Sequence, residues 1–249
     1  MWRGQSVSVV LPTYNEKDSI AAVIEEFFAT GVVDEVLVVN NNAAHGTSDE
    51  VRRTRAREVV EQRQGYGWAI RRGLEEAGGA YIVVCEPDGT FLARDVFKLL
   101  AYAEDFDVVY GSRTSVQLIW HGANMGLFLR WGNWAVAKYL EVLYNATSLT
   151  DVGCTMRLVR RDVARQLLPV FKIGGNEFGP EMMTMSLRAG LRVVQVPVNY
   201  LPRVGVSSVT GDPLKAFGLG LRMIGLITGR RFRAKPHVSV TRQEQAPGV

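Results

Sequence analysis

Short apolar runs alternate along the first half of the chain with stretches in which apolar residues recur at helical spacing. In chain order they predict strand 6–11, helix 19–29, strand 36–39, helix 48–57, strand 59–60, helix 65–77 and strand 81–85. Strands and helices that alternate in this way are typical of a parallel sheet with crossover helices. We therefore predict an α/β fold for this part of the chain.

A cluster of polar residues directly follows each of three predicted strands, at 12–16, 40–42 and 86–90. The carboxyl ends of parallel strands lie at one edge of a sheet, and ligands of such sheets bind in the crevice outside that edge. We therefore expect the three clusters to converge there and to form the binding site.

The second half of the chain is less regular. We predict a strand at 107–110, helices rich in aromatic residues at 117–145 and a late strand at 192–198, and an apolar stretch at 214–229 runs into a basic end. The domains we predict are a main domain at 1–210, a basic amphipathic helical segment at 211–235 and a disordered tail at 236–249.

Composition narrows the class of protein. The 249 residues carry 29 Lys and Arg against 25 Asp and Glu, and 47% hydrophobic with 22% charged residues is typical of a folded globular chain. Two cysteines are too few for a disulfide framework or a Cys-based zinc site. No apolar run reaches the roughly 20 residues of a spanning helix, and the N-terminus lacks a secretory signal, which predicts a cytoplasmic location. The sequence shows no nucleic-acid-binding module, so we expect no nucleic-acid partner.

The sequence Glu86-Pro87-Asp88 places two carboxylates two residues apart at the mouth of a loop. Mg²⁺ in proteins is held by a few carboxylates together with phosphate oxygens, so this pair can bridge a cation to a diphosphate. An ordinary acidic turn is the alternative interpretation. The motif alone does not decide between the two.

The order of the motifs is more specific than any one of them. A resemblance to the nucleotide-sugar half of the family 2 glycosyltransferases is carried by Val-Val-Leu-Pro-Thr-Tyr-Asn-Glu at 9–16, Glu-Val-Leu-Val-Val-Asn-Asn-Asn at 35–42, Gly-Tyr-Gly-Trp-Ala-Ile-Arg-Arg-Gly-Leu at 65–74 and Glu-Pro-Asp-Gly-Thr at 86–90. It implies the GT-A fold, a Rossmann-like and mostly parallel sheet flanked by helices. Later motifs resemble one branch of this family, which contains dolichol-phosphate mannose synthase and the polyprenyl-phosphate glycosyltransferases. These motifs lie at 107–113, 151–157, 196–200 and 203–208.

The resemblance also implies roles for individual residues. A nucleotide-sugar donor would be bound by Pro12, Tyr14, Glu16, Asn40, Gly67, Arg71 and Pro87. The metal, Mg²⁺ or Mn²⁺, would be held by Glu86 and Asp88. A guanidinium offers phosphate a planar fork of donors, and the acceptor phosphate would be bound by Arg113, Arg130, Arg203 and Ser207. Catalysis would depend on Asp88, Asp151, Arg113 and Arg203.

Some positions depart from the family pattern. Asn40-Asn41-Asn42 stands where the family commonly has Asp-Asp-Gly, so amides that both donate and accept replace carboxylates. Glu86 is one methylene longer than the usual Asp, and Thr90 stands where the branch often has a Gln ligand. The nucleotide base, the sugar and the oligomeric state stay open.

The predicted reaction is an inverting transfer of a sugar from a nucleotide-sugar donor to a polyprenyl phosphate. A phosphate acceptor is already anionic at neutral pH, whereas a hydroxyl acceptor needs a carboxylate within hydrogen-bond reach as a general base. Asp151 and Glu181 are the candidates for that base. Alternatively, Asp151 caps a helix or pairs with Arg157, and Glu181 lies on a helix surface. A soluble hydroxyl acceptor and a noncatalytic nucleotide-binding protein are the alternative functions.

The apolar helices at 117–145 and the segment at 214–235 predict contact with lipid. Between Lys215 and Lys235 the sequence has several cations and no acids, which suits an anionic membrane surface. We expect peripheral binding to the inner face of the cell membrane, next to a lipid-phosphate acceptor. A core helix with a solvated basic end is the alternative.

Overall fold

The computed structural model describes residues 1–205 and 213–233. The strands are β1 (Val7–Thr13), β2 (Glu35–Asn40), β3 (Arg57–Val60), β4 (Tyr81–Val84), β5 (Val108–Ser112), β6 (Arg157–Arg160) and β7 (Val193–Pro197). The helices are α1 (Lys17–Ala29), α2 (Thr47–Arg52), α3 (Tyr66–Glu76), α4 (Val96–Tyr102), α5 (Leu127–Tyr144), α6 (Arg161–Leu167), α7 (Phe178–Arg188) and α8 (Pro213–Arg231). None of these helices is both long and apolar enough to cross a membrane.

In the described residues the strands form one sheet in the order β3-β2-β1-β4-β6-β5-β7. Strand β1 pairs in parallel with β2 and β4, β2 with β3, and β5 with β7. Strand β6 is antiparallel to both β4 and β5. The predicted α/β fold with a mostly parallel sheet is therefore confirmed. Because β6 runs in reverse, its first residue, Arg157, pairs with Val84 at the carboxyl end of β4.

Hydrophobic cores lie on both faces of the sheet, because successive side chains of a strand point to opposite faces. In β1, Val9 and Leu11 face one core and Val10 faces the other. Helices α1 and α4 pack on the first face, and α3, α5, α6 and α7 pack on the second. Strands buried on both faces have continuous apolar sequences, which is why β1 and β2 are visible in the sequence.

Helix α8 is part of the second core. Met223 and Ile227 are buried in it, and the Tyr144 hydroxyl donates to the carbonyl oxygen of Ile227 at 2.8 Å. The hydroxyls of Tyr139 and Thr228 lie 2.7 Å apart, which joins α8 to α5 a second time. The described part of the predicted segment at 211–235 therefore packs against the main domain, whereas the predicted tail at 236–249 lies outside the described residues.

Two arginines of α8 form ion pairs within the protein. Arg222 Nε lies 2.5 Å from Glu177 Oε1, and Arg230 forms an ion pair with Glu181. The sequence predicts that the cations of this segment suit an anionic membrane surface. Arg222 and Arg230 pair instead with acids at the start of α7, and the membrane contact of the segment stays a prediction.

Other elements also differ from the sequence prediction. Helix α2 ends at Arg52 rather than at residue 57, because residues 57–60 join the sheet as the edge strand β3. The aromatic-rich stretch at 117–145 contains one long helix, α5, preceded by a short 3-10 turn. Strand β6 was not predicted, because its sequence Arg-Leu-Val-Arg begins and ends with a charge and forms no apolar run.

Gly73 allows α3 to lie close against β1, since a Cβ atom there would overlap Val10 Cγ1. We expect Gly73→Ala to lower the free energy of unfolding by about 2 kcal/mol, because overpacking a core typically costs about 1–3 kcal/mol. Gly225→Ala in α8 is the matched control, since among the described residues no atom outside its own helix turn lies within 4 Å of its Cβ position. Chemical denaturation measures both variants, and wild-type stability of Gly73→Ala would contradict this packing.

Candidate active site

A cavity of about 590 Å³ lies at the edge where the parallel strands end. Residues 12–16 after β1, Asn41 after β2, Glu86 after β4 and Arg113 after β5 all line it. The expected convergence of the polar clusters is therefore confirmed. Apolar residues of α5 and α8 form another part of the wall, namely Phe128, Leu129, Val136, Phe217, Leu219, Leu221, Met223 and Ile224.

Glu16 orders the turn that follows β1. Its Oε2 atom accepts hydrogen bonds from the backbone N–H groups of Tyr14 at 2.7 Å and Asn15 at 2.9 Å. Pro12, Tyr14 and Glu16 all lie on the cavity wall. Tyr14 stays 45% exposed, so the turn presents an aromatic face beside the cavity.

Of the neighbouring asparagines, the structure brings Asn41 rather than Asn40 to the cavity. Asn40 Nδ2 donates to Glu58 Oε1 at 2.9 Å, on the outer side of β2. Asn41 is buried: its Nδ2 donates to two carbonyl oxygens of loop 61–63, each at 2.8 Å, and its Oδ1 accepts from the Gly65 N–H at 2.8 Å. Asn41 therefore lines the cavity where the sequence predicted Asn40, because a run of three asparagines does not reveal which one follows the end of the strand.

Three other predicted donor residues lie behind the wall and support it. A Cβ atom on Gly67 would come 2.8 Å from a backbone carbonyl oxygen of the loop before α7, so the glycine permits that loop to approach α3. The Arg71 guanidinium lies over Trp68, 4.3 Å from the ring centroid. The Pro87 carbonyl oxygen accepts from Ser19 Oγ at 2.6 Å, which ties the acidic turn to α1. None of the three is among the described residues of the cavity wall, and their contact with a donor stays a prediction.

The predicted metal acids lie together with Arg203. Arg203 Nη2 is 2.6 Å from Asp88 Oδ2 and 3.1 Å from Glu86 Oε2. Asp88 is 1% exposed, and its Oδ1 accepts from the backbone N–H and the hydroxyl of Thr90 at 2.9 and 2.6 Å. Its Oδ2 accepts no hydrogen bond, because the nearby guanidinium does not direct an N–H at it. Asp88 Oδ2 therefore meets Arg203 as an ion pair without a hydrogen bond.

The charge of this pair needs a cation. Burial and the neighbouring Asp88 carboxylate raise the pKa of Glu86 to about 8, and Arg203 opposes the rise. Two adjacent carboxylates resist full ionisation unless a positive charge lies between them. Arg203 supplies one positive charge, whereas a divalent cation supplies two.

Glu86 and Asp88 fit a divalent cation that takes its other ligands from a bound diphosphate. In residues 1–205 and 213–233 no group of three or more His, Cys, Asp or Glu could hold a metal by itself. Mg²⁺ usually binds one or two carboxylates together with substrate phosphates and water. Asp88 Oδ2, which accepts no hydrogen bond, and the cavity-lining carboxylate of Glu86 match that donor set.

Arg113 lines the cavity but is paired with Asp151. Its Nε and Nη2 donate to the two carboxylate oxygens at 2.9 and 3.0 Å, and the backbone N–H groups of Arg113 and Gly153 add two bonds of 2.9 Å. Burial alone would raise the pKa of Asp151, but the charge and hydrogen bonds of Arg113 hold it below its ordinary value. Asp151 thus pairs with Arg113 rather than Arg157, and both of its oxygens are occupied.

Glu181 is fully buried at the start of α7, so the alternative of a helix-surface carboxylate is wrong. It accepts from the backbone N–H groups of Lys172 at 3.1 Å and Ile173 at 2.8 Å, and it pairs with Arg230. Neither Glu181 nor Asp151 is among the described residues of the cavity wall.

The remaining predicted arginine on α5, Arg130, is half-buried and does not line the cavity. Ser207 lies outside the described residues. Arg157, which the sequence marked only as part of a motif, does line the cavity and is 1% exposed. Its Nη2 donates to the carbonyl oxygen of Cys154 at 2.8 Å, and it forms no ion pair within the described part of the chain. The antiparallel direction of β6 explains its position.

We expect Asp151→Asn to lower the free energy of unfolding by about 3 kcal/mol, because it leaves the buried charge of Arg113 without its partner. The depressed pKa of Asp151 stabilises the fold at pH values above about 4, the ordinary Asp value, and this contribution is lost as the pH falls further. The stability difference between variant and wild type should therefore shrink in acid. Denaturant unfolding from pH 3 to pH 7 measures it, and a difference that does not change with pH would contradict the ion pair.

Comparison with known proteins identifies the class. Residues 8–168 match glycosyl transferase family 2. An uncharacterized glycosyltransferase of Mycobacterium tuberculosis (strain ATCC 25618 / H37Rv) is 32% identical over 213 residues, which cover 85% of this chain and 93% of the relative. The glycosyltransferase AglJ of Haloferax volcanii is 27% identical over 86% of this chain and 69% of its own. The chain therefore belongs to glycosyl transferase family 2, and it is a glycosyltransferase that uses a nucleotide-sugar donor.

The fold is similar to that of solved GT-A enzymes. Glucosyl-3-phosphoglycerate synthase from Mycobacterium tuberculosis, in complex with Mn²⁺, uridine diphosphate and glucosyl-3-phosphoglycerate, superposes with a TM-score of 0.67. The alignment covers 91% of this chain and 80% of that chain at 21% identity. At this identity the likeness concerns the fold alone.

Proposed function

We propose that this protein is an inverting glycosyltransferase of the dolichol-phosphate mannose synthase branch, with a polyprenyl phosphate as acceptor. The observation that carries the proposal is the state of the carboxylates. Among the described residues of the cavity wall the acids are Glu16 and Glu86. Glu16 binds the backbone of its own turn, and Glu86 belongs to the metal pair. The two other candidate bases, Asp151 and Glu181, are buried with their oxygens occupied.

A phosphate acceptor does not need a general base. Its oxygen is already ionised at neutral pH and can attack the anomeric carbon on the side opposite the departing diphosphate, which inverts the configuration. Three arginines on the wall, Arg113, Arg157 and Arg203, offer donors to phosphate oxygens. Arg113 and Arg203 are paired with acids, whereas Arg157 forms no ion pair among the described residues, and its positive charge favours an anionic acceptor over a neutral one.

The chain's own residues prepare the donor side of this reaction. Tyr14, Glu16 and Asn41 border the part of the cavity that we assign to the nucleoside. Mg²⁺ or Mn²⁺ held by Glu86 and Asp88 would neutralise charge on the leaving diphosphate. Thr90 and Ser19 fix the orientation of the acidic turn, as supporting hydrogen bonds commonly do for metal ligands. The Mn²⁺ and uridine diphosphate in the complex of the synthase with a similar fold support this assignment.

The apolar wall supports an acceptor with a hydrocarbon chain. Large apolar side chains of α5 and α8 are exposed beside the cavity, with Leu127 at 68%, Trp131 at 58% and Phe217 at 57%. Trp131 and Trp134 pack edge to face with ring centroids 5.4 Å apart. Exposed apolar surface of this kind marks an interaction site, and Trp is enriched where proteins meet the membrane interface. We propose that this face rests on the membrane and receives the polyprenyl chain.

A soluble acceptor that carries both a hydroxyl and a phosphate is the second candidate. This candidate is favoured by the similar fold of glucosyl-3-phosphoglycerate synthase, whose name indicates a phosphoglycerate acceptor. A hydroxyl acceptor would require Glu16 or Glu86 to leave its present partners and take a proton.

A transfer assay separates the two acceptors. The protein is incubated with Mn²⁺ and radiolabelled UDP-glucose or GDP-mannose, together with a polyprenyl phosphate, 3-phosphoglycerate or no acceptor. We expect label in an organic-soluble product only with the polyprenyl phosphate. Label in 3-phosphoglycerate alone would contradict the proposal. Asp88→Asn keeps the shape of the side chain but removes its charge, and we expect it to lower the rate by at least about a hundredfold.

Substitutions on the exposed aromatic face of α5 test membrane attachment. Trp131→Ser should reduce flotation with vesicles by about fivefold or more, because burial of a large apolar side chain contributes about 1.5–3 kcal/mol. Val60→Ser on the edge strand β3 is the control, since Val60 is 59% exposed and lies at the far end of the sheet. Equal loss in both variants would contradict attachment through α5.

A further inference from the structure

The geometry points to Arg203 as an internal substitute for the metal ion. We propose that its guanidinium lies between Glu86 and Asp88 until a diphosphate binds, and that the diphosphate then draws it away and admits the cation. Metal and donor would thus enter together, and each would bind weakly alone. This inference rests on the proposed function, because it requires that the cavity take a metal and a nucleoside diphosphate.

Arg203 and a metal ion compete for the same space. The Nη2 atom is within 3.1 Å of both carboxylates. A Mg²⁺ ion bound to the same oxygens would lie about 2.0–2.1 Å from each. Asp88 is 1% exposed although it adjoins the cavity, and the Oδ2 atom that faces Arg203 is buried. The cation therefore cannot reach Asp88 unless the guanidinium moves.

The charges of the site favour the joint binding of metal and diphosphate. When both acids are ionised, the two carboxylates and one guanidinium carry a net negative charge. A divalent cation in place of the guanidinium would balance the two carboxylates. The displaced guanidinium, however, would be repelled by the cation and would need another anion. Asp151 is already paired with Arg113, and Glu16 holds backbone N–H groups. A bound diphosphate supplies the missing partner, since its oxygens accept two hydrogen bonds from one guanidinium.

This exchange requires only the Arg203 side chain to move. The Val204 N–H donates to the Asp88 carbonyl oxygen at 2.9 Å, and the Leu201 N–H donates to the Thr90 carbonyl oxygen at 2.8 Å. The backbone on both sides of Arg203 is therefore tied to the acidic turn. A rotation of the Arg203 side chain keeps the guanidinium beside the metal site, where it can bind the diphosphate.

The inference is tested by measuring Mn²⁺ binding. The readout is the electron paramagnetic resonance signal of the free ion. Wild type is titrated with Mn²⁺ alone and with saturating UDP, GDP or inorganic pyrophosphate. We expect diphosphate to increase the Mn²⁺ affinity of wild type by at least about thirtyfold, and by thermodynamic linkage Mn²⁺ to increase the diphosphate affinity by the same factor. Arg203→Met should bind Mn²⁺ alone about tenfold more tightly than wild type, and diphosphate should increase its Mn²⁺ affinity much less.

Controls distinguish this inference from the proposed function. Arg53→Met removes an exposed arginine that pairs with Glu50 and should behave as wild type. Arg203→Gln provides a second variant if Arg203→Met does not fold. Equal Mn²⁺ affinity of wild type and both Arg203 variants, lost in Asp88→Asn, would overturn the inference and leave the metal site intact. Failure of every protein to bind Mn²⁺ with any diphosphate would overturn the metal assignment and the inference together.

Discussion

Two carboxylates held two residues apart at the end of a buried strand are the constraint on which this active site depends. Their mutual repulsion is relieved by a nearby cation or by a proton on Glu86, whose pKa burial and Asp88 raise to about 8. Thr90 orients Asp88, Ser19 fixes the turn between the two acids, and Arg203 lies against both of them. The site is therefore ready for a divalent cation and its diphosphate, and it is incompletely neutralised without them.

The other side of the cavity is arranged for a different chemistry. Arg113 and Asp151 neutralise each other, whereas Arg157, at the start of the antiparallel strand β6, has no acidic partner among the described residues. Helices α5 and α8 add an apolar wall. Cationic donors next to exposed apolar residues suit a ligand with an anionic head and a hydrocarbon chain. This division between a polar donor side and an amphipathic acceptor side is the physical basis of the proposed function.

Predictions from the sequence succeeded where a feature depends on residues that are neighbours along the chain. The strand at 6–11 and the acidic turn after β4 were predictable, because apolar runs mark buried strands and parallel strands end at one edge. The choice of Asn41 over Asn40 depends on where β2 stops, which the pattern does not show. Asp151 meets Arg113 across 38 residues of chain, a pairing set by the sheet. An amphipathic helix such as α8 has the same pattern whether it packs on a core or on lipid.

The central claim is that Glu86 and Asp88 form the metal site through which a nucleoside diphosphate binds. Anomalous diffraction from crystals grown with Mn²⁺ and a nucleoside diphosphate tests it most directly, because it locates the ion independently of its ligands. The account predicts one strong anomalous peak within bonding distance of both carboxylates and of the diphosphate, with the Arg203 side chain turned toward a phosphate oxygen. An ordered diphosphate in the cavity with no anomalous peak at Glu86 and Asp88 would contradict it.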